Sequence, residues 1–278
     1  MEGVKMQIGK ITKIKMPSLK SFDFQIKYNV TDRRSHTFEI GLHTHNELEI
    51  YINLSGDVSF LVENNLYDLS RGDVIVARPG EHHHCVYRSD APHAFYWLLF
   101  DCEENRAILD LLQEDLTENY FSPPNGLREE LTELCRSLHG GNQTEEEKIY
   151  AFFRLLEVLK RSRASLLKPQ SVLSQEMSGI VDYINTHVCE EISVRNIAKL
   201  FFTSQSSLER NFKAALNMTP AEYIRRKRLI IAAEMLQKGE SVINAGASVC
   251  YSDTSYFIEL FKRYYHMTPL QYKKKYKA

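Results

Sequence analysis

The sequence predicts an α+β protein: an N-terminal β-domain with appended helices, followed by an all-α domain. Three observations predict this class. Between residues 22 and 100, short apolar segments alternate with period two, as strands do. After Asp101, apolar residues recur at three and four, which is typical of amphipathic helices. Beyond residue 176, two helical segments repeat each other, and an internal repeat weighs most in a fold prediction.

The predicted strands are short and are separated by turn-forming residues. Asn64-Asn65 suits a tight hairpin, and Gly72-Asp73 and Pro79-Gly80 mark further turns. Strands at this spacing favour a β-sandwich or a small barrel. The segments are FDFQIKY, TFEIGLH, LEIYINL, VSFLVE, LYDL, DVIVARP, HCVYR and AFYWLLF.

Amphipathic helices are predicted behind the strands in ENRAILDLLQEDL, GLREELTELCRSLH and TEEEKIYAFFRLLEVLKRS. They could cover an open sheet edge or pair with another subunit. We assign residues 1–105 to the β-domain, 106–165 to a helical dimerisation or support region, 166–176 to a linker and 177–278 to the all-α domain.

Composition narrows the class of protein. The 278 residues are 43% hydrophobic and 26% charged, which suits two domains with cores of their own. No apolar run approaches the roughly 20 residues of a membrane span, and the basic N-terminus lacks the apolar stretch of a secretory signal. The five cysteines are scattered, as free thiols in a reducing cytosol are. We therefore expect a cytoplasmic protein.

Charge is distributed unevenly along the chain. Residues 1–175 carry 20 Lys and Arg against 26 Asp and Glu, a net charge of −6, whereas residues 176–278 carry 15 against 10, a net charge of +5. A cationic back half favours a polyanionic partner, although the signal is weak by itself.

The internal repeat consists of two helical units. NFKAALNMTPAEYIRRK (211–227) and LFKRYYHMTPLQYKKKY (260–276) match at an offset of 49 residues, and Ser-Val-x-Asn at 193–196 recurs at 241–244. In each unit, a short helix, a turn and a second helix with an exposed polar face follow one another. The predicted ranges are about 192–215 for the first unit, about 240–264 for the second and 220–237 for the connecting helix.

Capping residues support these boundaries. A serine starts each short helix, Ser204 or Asp253 starts each second helix, and a small residue, Ala198 or Gly246, allows the two helices to pack closely. The segments 219–222 and 268–271 each have the pattern of a capping box with proline at the first helical position.

A short helix, a turn and an exposed polar helix form a helix-turn-helix, whose second helix enters the major groove of DNA. The connecting helix of about 18 residues spans roughly 27 Å, which is close to the roughly 34 Å between successive major grooves on one face of DNA. One chain is therefore expected to bind two adjacent grooves. The alternative is a helical bundle for protein contact.

Residues 176–278 resemble the DNA-binding domain of AraC/XylS-type regulators, whose motif runs through YSDTSYF, FK and TPxxY. Cys250 stands where the family usually has glycine, which predicts a strained turn. Glu259 stands where many members have an arginine on the second recognition helix, whereas Arg210 keeps that role on the first. Because a carboxylate accepts from cytosine N4 but repels phosphate, the second unit is expected to bind more weakly or to select another base.

The resemblance implies two groups of DNA contacts. Base edges are assigned to Ser206, Glu209, Arg210, Thr254, Ser255 and Glu259. Phosphates are assigned to Lys213 and Lys262, with some of Arg225, Arg226 and Arg228; for these three arginines a solvated helix face is the alternative.

The front half contains GLHTHNELEIYINLSG (41–56), in which His43, His45 and Glu49 have the spacing of metal ligands. The segment resembles the first motif of a cupin, and Gly72, Gly80 and His83 resemble the second, although Arg78 replaces its usual proline. Imidazoles and a carboxylate facing one cavity suit a divalent transition metal such as Zn, Fe, Ni or Mn.

Three interpretations of His43, His45, Glu49 and His83 stay open: a metal site, a ligand pocket without metal, or the solvated polar face of a half-buried strand. Which residue of 82–84 faces the pocket is also open. Neighbouring aromatic residues at 95–97 could stack on a sugar ring or belong to a core.

Together these resemblances predict a cytoplasmic, ligand-responsive transcription regulator, with activation as the expected outcome. The partners expected are double-stranded DNA, a small-molecule effector such as a carbohydrate, a second copy of the chain and, for an activator, RNA polymerase; no membrane contact is expected. The alternative is a cupin-type metalloenzyme with a regulatory or vestigial DNA-binding tail.

Overall fold

The computed structural model of the chain describes residues 11–16, 22–31, 41–101, 117–163 and 171–276. It divides into two compact units, Met1–Val172 and Leu173–Ala278. The first contains two antiparallel sheets and helices, and the second is helical throughout its described residues. The predicted α+β class is confirmed. Among the described residues, no helix is both long enough and apolar enough to cross a bilayer.

The first unit begins with strands and ends with two helices. The strands are β1 (Ile11–Met16), β2 (Phe22–Thr31), β3 (Leu48–Ser55), β4 (Val58–Val62), β5 (Asn65–Leu69), β6 (Val74–Ala77), β7 (His83–Tyr87), β8 (His93–Phe100) and β9 (Tyr120–Phe121). The helices are α1 (Asn125–Gly140) and α2 (Glu145–Arg163). One sheet has the strand order β1-β2-β8-β3-β6-β9 and the other the order β5-β4-β7.

Two predicted elements differ from the structure or cannot be compared with it. Of the predicted strand TFEIGLH, the part before residue 41 lies outside the described residues. Its last residues, 41–43, form a loop with a single bridge between His43 and His83. The predicted helix ENRAILDLLQEDL also lies outside the described residues.

The central strand β3 is buried on both faces. Ile50 and Ile52 pack into a core with Leu131 of α1 and Phe152 of α2, so these helices cover a face of the large sheet and not merely its edge. Because side chains alternate along a strand, Glu49 and Tyr51 point the other way, where Tyr51 packs against residues of the small sheet. Glu49 is only 4% exposed. The interpretation of this polar face as solvated is therefore wrong for Glu49.

A buried carboxylate joins the turn before β6 to the start of α1. Asp73 is 1% exposed and accepts hydrogen bonds from the Ser70 amide, the Tyr120 hydroxyl and the Ser122 hydroxyl, at 2.7 to 2.9 Å. It also pairs with Arg128 Nη2 at 2.9 Å. Gly72 has a φ of +82°, and a Cβ there would lie 2.8 Å from the Arg128 side chain, so glycine is required for this approach.

The second unit consists of helices that match the predicted repeat. They are α3 (Gln175–His187), α4 (Val194–Leu200), α5 (Gln205–Leu216), α6 (Pro220–Gln237), α7 (Val242–Ser248), α8 (Thr254–Tyr265) and α9 (Pro269–Tyr276). Helices α4 and α5 form one helix-turn-helix, and α7 and α8 form the other. In each, two side chains four residues apart anchor the second helix: Leu208 and Phe212, or Phe257 and Phe261, all at most 1% exposed.

The predicted helix caps are present, with one exception. The side chains of Ser193, Ser204, Ser241 and Asp253 accept hydrogen bonds from backbone amides of the helices that they precede. Thr268 and Gln271 form both bonds of a capping box. In the corresponding segment, Thr219 caps the Glu222 amide, but the Glu222 carboxylate binds Arg226 four residues later, so only half of that capping box forms.

The turns of the two units share an unusual backbone position. Phe202 and Cys250 occupy equivalent places and have φ values of +52° and +63°. Residues other than glycine adopt this conformation at a cost of order 1 kcal/mol. The strain predicted for the turn at Cys250 is therefore observed. The turn of the first helix-turn-helix has the same strain at Phe202.

Replacing Gly246 by alanine is expected to destabilise the second unit by about 1–3 kcal/mol, because the new methyl would lie 2.9 Å from the Phe257 ring and force it to move. Urea denaturation followed by circular dichroism measures the change. Ser248→Ala, at an exposed position of the same helix, is the control and should stay within about 0.5 kcal/mol of the unsubstituted chain. Equal stabilities for the two variants would refute this packing constraint.

Candidate functional site

The four residues predicted for a pocket come together in the first unit. His43 and His45 lie in the loop before β3, Glu49 is the second residue of β3, and His83 is the first residue of β7. Reciprocal backbone hydrogen bonds of 3.1 and 2.9 Å between His43 and His83 fix the loop against β7. One ligand atom from each of the four side chains lies within 4.8 Å of the others. We call His43, His45, Glu49 and His83 the histidine cluster.

Glu49 is the centre of the histidine cluster. Its Oε2 lies 3.1 Å from His45 Nε2 and 3.4 Å from His83 Nε2. The same oxygen accepts a 2.8 Å hydrogen bond from Trp97 Nε1 on the neighbouring strand β8. From the sequence, Trp97 was predicted only as a stacking or core residue, so this role was missed. In the register of the two strands, Glu49 pairs with Leu99, and Trp97 lies two residues before Leu99 on the same strand. This register brings the Trp97 side chain next to Glu49.

The three imidazoles of the histidine cluster have a common orientation. Nδ1 contacts a backbone carbonyl in each: Gly41 at 2.8 Å for His43, Glu47 at 3.1 Å for His45, and Glu81 at 2.9 Å for His83. Because a carbonyl oxygen only accepts, Nδ1 carries the proton in each ring. The Nε2 atoms are then the positions left for a ligand, and those of His45 and His83 face Glu49 Oε2, at 3.1 and 3.4 Å.

Burial and mutual charge shift the titration of the histidine cluster. Burial, followed by the charge of His83, lowers the pKa of His43 to about 3. Burial alone would raise the pKa of Glu49, but His83 and His45 outweigh it and hold this pKa well below its usual range. For His83, the carboxylate of Glu49 outweighs burial and raises the pKa. At neutral pH the histidine cluster therefore presents an ionised carboxylate and a neutral His43.

This donor set fits a divalent transition metal. Imidazole and carboxylate ligands suit Zn, Fe, Ni or Mn, and metal-binding histidines characteristically donate their second ring N–H to a backbone carbonyl, as all three do here. Of the consecutive histidines at 82–84, His83 belongs to the histidine cluster. His82 instead pairs with Glu63, its Nδ1 lying 2.9 Å from Oε1.

Aromatic side chains adjoin the histidine cluster between the two sheets. The Phe60 ring is stacked near His83 with centroids 6.2 Å apart, and Tyr51 packs against Phe60 and Phe95, both at 4.8 Å. Of the aromatic run 95–97, Tyr96 points to the opposite face and is fully buried beside the helices. The three residues therefore serve different purposes.

In the second unit, the residues predicted to contact bases or phosphates lie on the exposed faces of α5 and α8. All are exposed except Thr254, at the start of α8, which is half-buried; the set is Ser206, Glu209, Arg210, Lys213, Thr254, Ser255, Glu259 and Lys262. Glu209 accepts a 2.9 Å hydrogen bond from Gln205. Within residues 171–276, no carboxylate pairs with Arg210, whose guanidinium is directed to solvent.

Two arginines assigned to phosphates have structural partners. Arg226 binds the Glu222 carboxylate at 2.7 Å and lies over the Tyr264 ring. Arg228 donates to the carbonyls of Val188 and Glu190 at 2.9 and 2.7 Å. The expectation that they serve phosphates is therefore weakened, and Arg225, which is exposed, is the remaining candidate of the three.

A β-domain with a buried polar site, followed by two helix-turn-helix units, defines a DNA-binding regulator with a ligand-binding domain. Comparison with known proteins agrees: residues 30–156 match the AraC-like ligand binding domain, and residues 197–275 match a helix-turn-helix domain. The chain belongs to the AraC family of transcriptional regulators and is a ligand-responsive, DNA-binding regulator.

Two similar regulators extend over most of the chain, and a solved structure matches a smaller part. The HTH-type transcriptional regulator YdeC of Bacillus subtilis is 25% identical over 273 residues, which cover 89% of this chain and 90% of YdeC. The HTH-type transcriptional activator RhaR of Mannheimia succiniciproducens is 23% identical, covering 88% and 91%. A solved AraC-type regulator from Chromobacterium violaceum is 25% identical, with a TM-score of 0.34, and covers 36% of this chain and 90% of that chain. The metalloenzyme alternative finds no support among these regulators.

Proposed function

We propose that the chain is a transcription activator that binds its effector at the histidine cluster and contacts two successive major grooves with α5 and α8. The observation that carries the effector site is the convergence of four ligand atoms within 4.8 Å in the interior of the first unit. Such a buried polar group is costly unless it has partners, and the contact of His83 Nε2 with Glu49 Oε2 is long, at 3.4 Å. A ligand at this point would supply a closer partner.

The orientation of the imidazoles favours a divalent transition metal as part of what the histidine cluster binds. A bound metal would supply a Lewis-acid centre to which a small molecule could attach. The chain's own residues prepare the position: the carbonyls of Gly41, Glu47 and Glu81 fix the rings, and Trp97 orients Glu49. In a regulator, side chains held in place in this way would serve to bind an effector.

A carbohydrate is the second candidate for the effector. Carboxylate and imidazole groups bind sugar hydroxyls, and the Phe60 ring beside His83 offers an apolar face of the kind on which a sugar ring packs. This candidate needs no metal, so it predicts a sugar-dependent rise in thermal stability that persists in excess chelator.

Titration of the chelator-treated, full-length chain with Zn²⁺ is expected to show one site per chain by calorimetry. His83→Ala should abolish this site, because it removes a buried ligand. His82→Ala is the matched control, since His82 pairs with Glu63 outside the histidine cluster, and it should bind Zn²⁺ as the unsubstituted chain does. If both variants bind alike, the histidine cluster is not the metal site. If the unsubstituted chain binds no Zn²⁺, the metal site is refuted and a ligand pocket without metal is the remaining interpretation.

For DNA, we propose a division of roles between the two recognition helices. Arg210 reads a base edge by its planar, two-pronged guanidinium, with Ser206 and Glu209 beside it. On α8, Thr254, Ser255 and Glu259 contact bases, and the carboxylate of Glu259 makes this unit the weaker binder. Lys213 and Lys262 neutralise phosphates.

We further propose that the chain forms a homodimer through α2. An exposed stripe at spacings of four and three runs along this helix: Glu146, Tyr150, Phe153, Glu157 and Lys160. Tyr150 and Phe153 are 70% and 44% exposed, although both are large and apolar. Phe153 lies seven residues from both Glu146 and Lys160. An antiparallel pair of α2 helices centred on Phe153 would therefore place each Glu146 opposite a Lys160.

Phe153→Glu is expected to shift the chain toward monomer, because it buries a charge at the centre of the pair; analytical ultracentrifugation over a concentration series measures this. Glu146→Lys should weaken the dimer by roughly 0.5–1 kcal/mol for each charge pair lost. The double variant Glu146→Lys/Lys160→Glu is the matched control and should restore it. A dimer that tolerates Phe153→Glu would place the interface elsewhere.

Activation rather than repression is proposed by analogy with RhaR, which is named as an activator. An activator acts on transcription by contacting RNA polymerase, so the polymerase is proposed as a further partner. The cytoplasm is proposed as the location, since bacterial-type regulators act on DNA there.

A further inference from the structure

Two cysteines of the second unit meet at the junction between its helix-turn-helix units. The Cys250 thiol, in the turn between α7 and α8, donates to the Cys189 carbonyl with an Sγ to O distance of 3.0 Å. The carbonyl oxygen and the Cα of one residue are about 2.4 Å apart. The Cys250 sulfur therefore lies within a short movement of the position that a disulfide with Cys189 requires.

The segment that contains Cys189 is held in place on both sides. Arg228, on the helix α6 that connects the two units, donates to the carbonyls of Val188 and Glu190 at 2.9 and 2.7 Å. With the Cys250 thiol on the carbonyl between them, three successive carbonyls have fixed donors. The loop before the first helix-turn-helix and the turn of the second are thus positioned together.

These two thiols are also accessible, unlike a typical core cysteine. Cys189 is exposed and Cys250 is half-buried, whereas Cys135, on the buried face of α1, is fully buried and burial strongly raises its pKa. Burial and the neighbouring Cys250 raise the pKa of Cys189, and Arg228 offsets part of this rise. The oxidation of Cys189 is therefore expected to be faster above neutral pH, where more thiolate is present.

We propose that Cys189 and Cys250 are a modification site: a dithiol that a low-molecular-weight disulfide oxidises to an intramolecular disulfide. The Cys189 thiolate attacks one sulfur of oxidised glutathione, forming a mixed disulfide and releasing one glutathione thiolate. The Cys250 thiolate then attacks the Cys189 sulfur, and the second glutathione leaves. The two cysteines lose two protons and two electrons, and oxidised glutathione is reduced to two molecules of glutathione.

The disulfide would act as a brace between the two DNA-reading units. It would close a loop that runs through α4, α5, α6 and α7, and a crosslink of this span restricts the unfolded chain strongly. Because the Cys250 thiol already contacts the backbone of Cys189 in the reduced structure, the crosslink would preserve the existing arrangement of α5 and α8. The oxidised chain is therefore expected to bind DNA and to resist unfolding.

The test uses the full-length chain incubated with oxidised glutathione at about pH 8, near the ordinary pKa of a thiol. Mass spectrometry should show a chain that has lost two hydrogens and a peptide crosslinked between Cys189 and Cys250. The melting temperature of the second unit should rise by roughly 5–15 °C and return on reduction. Affinity for the DNA upstream of its own gene should change by less than about threefold.

Cys250→Ser and Cys189→Ser are the matched controls, and both should lose the crosslink and the rise in melting temperature. The serine hydroxyl at 250 still offers a donor to the Cys189 carbonyl, so this variant should fold. Three results would overturn the proposal: glutathione adducts without an internal crosslink, a crosslink that involves another cysteine, or a crosslinked chain whose DNA affinity falls more than about tenfold.

Discussion

Replacing Arg210 by alanine is expected to weaken binding to the specific operator by about 1–3 kcal/mol, a roughly fivefold to 150-fold loss of affinity. Arg210 lies on the exposed face of α5 and has no ion pair within residues 171–276, so its guanidinium is available to a base edge. Fluorescence anisotropy with operator and scrambled duplexes measures the change. Binding to scrambled DNA should fall much less, because a base-edge contact contributes little there.

Lys213→Ala is the contrasting variant, one helical turn along the same exposed face. As a phosphate contact, it should lower affinity for operator and scrambled DNA together and reduce the slope of log K against log salt by about 1. If Arg210→Ala lowers both affinities equally, or if Lys213→Ala changes only the specific one, the assigned roles are wrong.

The largest effect on stability is expected for Asp73→Ala, at roughly 3–5 kcal/mol for the first unit. The change leaves Arg128 without its buried counter-ion and leaves three further donors without their acceptor. Urea denaturation followed by tryptophan fluorescence reports this unit alone, because the chain's single tryptophan, Trp97, lies in β8.

Asp73→Asn is the matched control, since the amide keeps one carbonyl oxygen as an acceptor and about the same volume. It should lose less stability than Asp73→Ala. A loss below about 1 kcal/mol for the alanine variant would show that the carboxylate does not join the turn to α1.

The second unit was largely predictable because its order comes from local signals. Helix caps such as Ser204 and Asp253 act within a few residues, and the repeat provides the same helix-start signals in both copies. What the sequence could not give were contacts made across the repeat. As a basic residue, Arg228 was a candidate for a phosphate contact. The fold instead brings to it the carbonyls of Val188 and Glu190, which lie some 40 residues away in sequence.

The histidine cluster was predicted by residue but not by environment. Spacing identifies His43, His45 and Glu49, but a two-residue period cannot say whether a second sheet covers the polar face of β3. The small sheet does so, and Glu49 becomes buried. The role of Trp97 depends on the register between β3 and β8, which is a long-range property that no local pattern encodes.

Sequence-specific binding of DNA by this chain's helix-turn-helix units can be measured by titration of the full-length chain. The DNA upstream of its own gene and a scrambled duplex of equal length should be compared by anisotropy at about 150 mM salt. We expect a preference of at least roughly 10³-fold for the upstream DNA. Equal affinities for the two duplexes across a range of salt concentrations would contradict it.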